Sequence, residues 1–236
     1  MQIGNSCSKL PFGARLHVRT CLRWINPADL AGVGSIELQD SMPKATKDSP
    51  DWHKQATADE LSINGLYIHG SGISPARITL FTRDIYRGIP KLYWLTPVTT
   101  LSFARTLAHE VGHHLIAERG YVFTVGEKTH LPEYEEEMAH RYSSSVLKRM
   151  RQRCYYRLAH RAMRDLALTH YMLGVHEWNA GRYRKAAEDW YKAFHLDSDR
   201  QDAIDWYLRA RQRLVGDVHD MSECRGSFLR RSSNSH

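Results

Sequence analysis

The stretch from Thr96 to Gly120 constrains this 236-residue chain more than any other. Thr96 can cap a helix, Pro97 suits its first turn and Gly120 suits its stop. Between them Leu101, Ala104, Ala108, Val111 and Leu115 recur at helical spacing, which predicts one apolar face against a core. His109 and His113 fall off that face, with Ser102, Thr106 and Ile116. Side chains four apart on a helix point the same way, so two imidazoles can hold one metal ion. Glu110 would stand beside that ion and can serve as a general base. Gly112 costs a helix about 1 kcal/mol relative to alanine, a cost explained if another segment comes close beside the histidines.

The pentapeptide His109-Glu110-Val111-Gly112-His113 resembles the H-E-x-x-H motif of zinc hydrolases. A catalytic zinc takes three protein ligands and keeps a position for water. The long extension of metzincins is absent, because Ile116 and Arg119 stand where it needs glycine and histidine. The next acidic cluster starts at Pro132 and reads as the first turn of a second helix, where carboxylates complement the helix dipole. Within it, Glu136-Glu137-Met138-Ala139-His140 resembles the Glu-x-x-Ala-(Asp/Asn) signature of gluzincins. In those zinc peptidases the first Glu of the signature is the third ligand. Residues 75–150 are similar to the minimal gluzincin core of ImmA/IrrE-type and HtpX-like peptidases. The resemblance implies that His109, His113 and Glu136 ligate Zn2+ and that Glu110 is the base acting on a zinc-activated water. The substrate would be a polypeptide.

Glu136, Ala139, His140, Ser143 and Leu147 are expected to share one face of the second helix. His140 departs from the signature; it is either a rival ligand or a partner that orients Glu136. His130 is a further rival, since a histidine in that loop resembles the SprT-like proteases, which use three histidines. Tyr121, Tyr134, Tyr142 and His140 are the candidates for stabilising an oxyanion.

Ahead of the motif helix, residues 16–24 read as a short helix ended by Asn26-Pro27. Apolar alternation at 35–39, 66–69 and 76–83 predicts short strands, and the polar run 40–59 an exposed loop. The resemblance implies that the strand just before the motif helix, about Ile78 to Phe81, lines the cleft and takes substrate backbone by strand addition. Further on, residues 170–197 resemble one tetratricopeptide repeat: Leu173-Gly174, a stop at Gly181, then Tyr183, Ala186, Trp190 and Ala193. Ser198 replaces the usual closing proline, and no second copy follows. A helix at about 145–166 and a capping helix at 200–214 would cover the repeat.

The expected fold is α+β: a small mixed sheet packed on a zincin active-site helix and a Glu-bearing second helix, then an all-α TPR-like extension. The expected domains are 1–150 for the metallopeptidase core, 151–216 for the helical extension and 217–236 for a basic, disordered tail. The extension would either bind a protein partner or buttress the core. The net charge of +7 gathers at 148–164 and in the tail, but no nucleic-acid-binding motif accompanies it, so a solvated basic face is favoured. Cys7, Cys21, Cys154 and Cys224 form no C-x-x-C pair, which suits a reduced cytoplasm. No signal-peptide core or membrane span is legible, and no membrane partner is expected. Zinc metallopeptidase is the leading reading. The alternatives are a non-catalytic binding or regulatory protein on a zincin scaffold, and a SprT-like nucleic-acid-associated protease.

Overall fold

The computed structural model of the chain describes residues 1–9, 11–41, 64–70, 74–118, 132–197, 200 and 202–214, with backbone alone at 132–134. The fold is α+β. Strands β1 (Gln2–Asn5), β2 (Val33–Gln39), β3 (Gly65–Ile68) and β4 (Ala76–Phe81) form one sheet in the order β1-β2-β4-β3. β1, β2 and β4 run parallel, whereas β3 pairs antiparallel with β4. In β4 only Arg77 is exposed, as befits a strand flanked on both edges and covered on both faces. The alternations at 35–39, 66–69 and 76–83 therefore each mark a strand, and β1 adds one that they did not signal. Most of the 40–59 loop lies outside the described residues.

Helix α1 (Ala14–Leu22) buries Ala14, His17, Val18 and Cys21. His17 Nε2–H donates to the Trp94 carbonyl at 2.7 Å, and Nδ1 lies 2.8 Å from the Thr100 hydroxyl. Burial pushes the imidazole below its ordinary pKa, so the neutral ring joins α1 to the start of α2 (Pro97–Glu118). Asn26 caps a 3-10 turn at Pro27–Leu30, where the sequence predicted a helix stop.

α2 is the axis of the first unit. The single apolar face expected for it is too narrow: Phe103 and Leu107, outside that face, are fully buried, and Ser102 and Thr106 are buried as well. Threonine tolerates this because its hydroxyl can bond within the helix, and Thr106 Oγ1 donates to Ser102 O at 3.3 Å. Helix α3 (Pro132–Met150) lies against α2 along Ala139, Ser143, Val146 and Met150, all buried. That seam differs from the expected face, since His140 is exposed.

The chain divides into two compact units, Met1–His160 and Arg161–His236. Helix α4 (Cys154–Asn179) is continuous, where separate helices at 145–166 and from His170 were expected. It runs on because no glycine or proline interrupts the chain between Cys154 and Leu173, and the break falls instead at residues 151–153. In the second unit, α5 (Tyr183–Leu196) and a helix at 202–214, here α6, complete a core of Ala186, Ala187, Trp190, Tyr191, Tyr207 and Ala210. Gly181 ends α4 with a left-handed φ of 74°. Its motif is completed by Arg182 N–H donating to Glu177 O at 2.9 Å. No helix among the described residues is long and apolar enough to cross a membrane.

Gly112 decides the approach of α3. A Cβ there would stand 2.5 Å from Ala139 Cα, which is main chain and cannot rotate away. Gly112→Ala would gain about 1 kcal/mol of helix propensity and lose about 1–3 kcal/mol to overpacking. We expect a lower urea midpoint for Gly112→Ala and a further fall for Gly112→Val. A midpoint raised by the alanine would show that the two helices do not meet here.

Candidate metal centre

The helical register of α2 places His109 and His113 one turn apart, with ring centroids separated by 4.8 Å. Their Nε2 atoms are 3.1 Å apart. Glu136 reaches across from α3 so that its two oxygens face different histidines, Oε2 at 3.2 Å from His109 Nε2 and Oε1 at 3.3 Å from His113 Nε2. Ligands about 2.0–2.1 Å from a tetrahedral zinc lie about 3.3 Å from one another. The separation of the two Nε2 atoms is close to one edge of such a tetrahedron, and with one ligand atom taken from each residue the three lie within 4.8 Å of one another. Two imidazoles and one carboxylate are also the donor chemistry that zinc takes.

Both histidines are half-buried and Glu136 is exposed, so the face of the triad on the α3 side opens to solvent. Hydrogen bonds from His109 and His113 hold the Glu136 carboxyl well below the usual carboxylate range. Burial pulls His113 down, yet the hydrogen bond to Glu136 and the charges of Glu110, Glu136 and Glu135 leave it above its ordinary value.

Glu110 is buried, on the side of α2 that faces the sheet. Burial raises its pKa, and the charges of His109 and His113 pull the other way. Its carboxylate also accepts a hydrogen bond from the Tyr67 N–H of β3. β3 runs this close because residue 65 is glycine: a Cβ there would meet Glu110 Oε1 at 2.7 Å and Thr106 Cγ2 at 2.8 Å.

The same strand corrects the expected substrate edge. β4, which holds Ile78 to Phe81, is paired on both sides by β2 and β3, so it has no free edge to offer. The strand beside the site is β3, whose one strand neighbour among the described residues is β4. Phe81 N–H donates to Asn64 O at 2.8 Å, which sets the hydrogen-bonded pairs at Leu66–Thr79 and Ile68–Arg77. The main-chain groups of Gly65 and Tyr67 consequently face outward, away from β4.

Among the rival residues, His140 is exposed and takes no part in the cluster. His130 and Tyr121 lie outside the described residues, as does the side chain of Tyr134. Tyr142 is not free for an oxyanion, since its hydroxyl donates to Asp29 Oδ2 at 2.7 Å and pins α3 to the 3-10 turn. The sequence reading missed His114 and Tyr67. His114 is buried, with Nε2–H donating to the Ala31 carbonyl at 2.7 Å and Nδ1 3.3 Å from the Tyr67 hydroxyl. A third histidine directly after the motif was a visible signal; its tyrosine partner, 47 residues away, was not.

No family model, curated protein or solved structure matches the chain.

If the triad is a metal site, the purified chain should retain about one zinc after dialysis, measured by plasma mass spectrometry. Glu136→Ala and His109→Ala should lose it and His140→Ala should keep it. Protons compete with metal for imidazole, and His113 holds its proton to a higher pH than an ordinary histidine. Release should therefore begin as the pH falls toward about 6.5 and complete below it. Full zinc retention by Glu136→Ala would remove that residue from the ligand set.

Proposed function

We propose that the first unit is a zinc-dependent peptidase with a gluzincin-type site. The observation that carries the reading is the meeting of His109 Nε2, His113 Nε2 and the Glu136 carboxylate at 3.1 to 3.3 Å, beside the buried carboxylate of Glu110. Zinc held by these three side chains would supply a Lewis acid that polarises a peptide carbonyl and brings the pKa of water toward about 7.

The chain's own residues supply the rest. Glu110, raised in pKa by burial and anchored by the Tyr67 N–H, takes a proton from water on its carboxylate and returns it to the leaving amine. The Gly65 main-chain groups and the Tyr67 carbonyl face outward on the β3 edge, where an extended polypeptide can pair while the Tyr67 N–H stays with Glu110. His114 and Tyr67 hold β3 to α2, so base and substrate edge keep a fixed spacing. The second unit is proposed to be a single TPR-like helix pair with a capping helix. Supporting this are the approach of Gly174 to the Trp190 indole, where a Cβ would meet the ring at 2.7 Å, and the stop at Gly181. A protein partner for these helices, and a cytoplasmic setting for the whole chain, belong to the same proposal.

The decisive variant is Glu110→Gln, which keeps shape and hydrogen bonding but cannot accept the proton. It should bind zinc as the parent does while kcat/KM on a quenched fluorogenic peptide library falls about 10²–10⁴-fold. Parent activity should vanish with a chelator and return with zinc. Equal cleavage by parent and variant, or none by the zinc-loaded parent, would leave a binding protein on this scaffold as the better reading.

A further inference from the structure

We infer that the corner built from α1 and the 3-10 turn Lys91–Tyr93 docks on an anionic lipid bilayer. Four large apolar side chains stand out to solvent there: Phe12 at 76 %, Leu16 at 62 %, Leu92 at 82 % and Leu95 at 56 % exposure. They come from two segments that are packed together. The Tyr86 hydroxyl donates to Phe12 O at 3.3 Å, His17 joins the Trp94 carbonyl at 2.7 Å, and Leu95 lies so near Gly13 that a Cβ there would meet it at 2.7 Å. Scattered exposed leucines are ordinary on a protein surface, but a cluster at one corner marks contact with something apolar.

Charge identifies the partner. Residues 9–23 and 86–96 contain Lys9, Arg15, Arg19, Arg23, Arg87 and Lys91 and no carboxylate. Arg87 is engaged by Asp84 at 3.3 Å. The other five are exposed, and among the described residues none pairs with a carboxylate. α1 has the build of an interfacial helix: Ala14, His17, Val18 and Cys21 turn inward, while Arg15, Leu16 and Arg19 turn outward next to Phe12. Arginine and lysine stems can lie along the acyl boundary while their heads reach lipid phosphates, with phenylalanine and leucine entering below them. Nucleic acid would satisfy the charges but would leave four apolar side chains facing phosphate and water. The earlier expectation of no membrane partner rested on the lack of a spanning segment, and contact within the interface needs none.

The test is co-sedimentation of the full chain with phosphatidylcholine vesicles, with and without phosphatidylserine. Binding should require phosphatidylserine and weaken with salt. Phe12→Ser combined with Leu92→Ser should cut partitioning on the order of tenfold or more. Arg15→Gln combined with Arg19→Gln should cut it about fivefold for each charge removed. All four positions are exposed, and unchanged circular dichroism and zinc content would confirm intact folding. Three results would overturn the proposal: no binding to phosphatidylserine vesicles, binding that survives both double variants, or a patch-dependent gain of mass by self-association or on duplex DNA without lipid binding.

Discussion

Between Gly112 on α2 and Ala139 on α3 there is no room for a methyl group, and this contact sets where the ligand atoms stand. Helix separations follow from the side chains at the crossing, and glycine facing alanine gives one of the shortest. The contacts run in opposite directions along the two helices: Ser143 Oγ donates to Arg105 O at 2.9 Å, Ala139 meets Gly112, and Glu136 meets His109 and His113. Glu136 lies one turn from Ala139 and His113 directly follows Gly112, so this contact is one step from the proposed metal site. A larger residue at either position would move the carboxylate away from the imidazoles without altering any ligand.

The other half of the site depends on a buried carboxylate being tolerable. An isolated ionised group in an apolar surrounding is costly, and Glu110 answers this with a main-chain donor on one side and two imidazoles on the other. That donor exists because β3 is an edge strand whose Tyr67 N–H points away from β4, and because Gly65 lets the strand settle onto the Glu110 side chain. Sheet order and base environment are therefore one arrangement. Placing β3 between β2 and β4 would consume the Tyr67 N–H in the ladder and leave the carboxylate without it.

Local periodicity explains why parts of this were legible in the sequence. His109 and His113 need only a helix to come together, and caps and stripe specified one. The α+β class followed from alternating strands ahead of long helical runs. Tertiary choices were harder. Glu136, Ala139, His140 and Ser143 fall within one broad arc, and only the buried run Ala139, Ser143, Val146, Met150, spaced four, three and four, tells which edge of the arc meets α2. That run turns His140 outward. In the β3–β4 hairpin nothing local says which strand lies outside, and the resemblance alone pointed to the strand just before the motif helix as the cleft edge. The burial of α2 was hidden because threonine and serine count as polar in a pattern, although their hydroxyls can bond back to the helix. His114 and Tyr67 illustrate the general difficulty: each is unremarkable alone, and their pairing exists only once β3 is laid on α2.

The two helices that meet at the triad differ in how firmly they are held. α2 is buried almost all round over its first four turns, gripped by α1, the sheet and α3, so His109, His113 and Glu110 stand on a rigid base. α3 buries only its seam; its outer side carries exposed charges such as the Glu137–Arg141 pair at 2.6 Å. Two candidate ligands and the base are thus preorganised by the core, while the third arrives on a helix with one face in solvent. Preorganised ligands lose little freedom on binding, so the docking of α3 is what governs how tightly such a triad holds its ion. Gly112, Ser143 and Tyr142 belong to the proposed metal site in this sense, although none of them offers it a ligand atom.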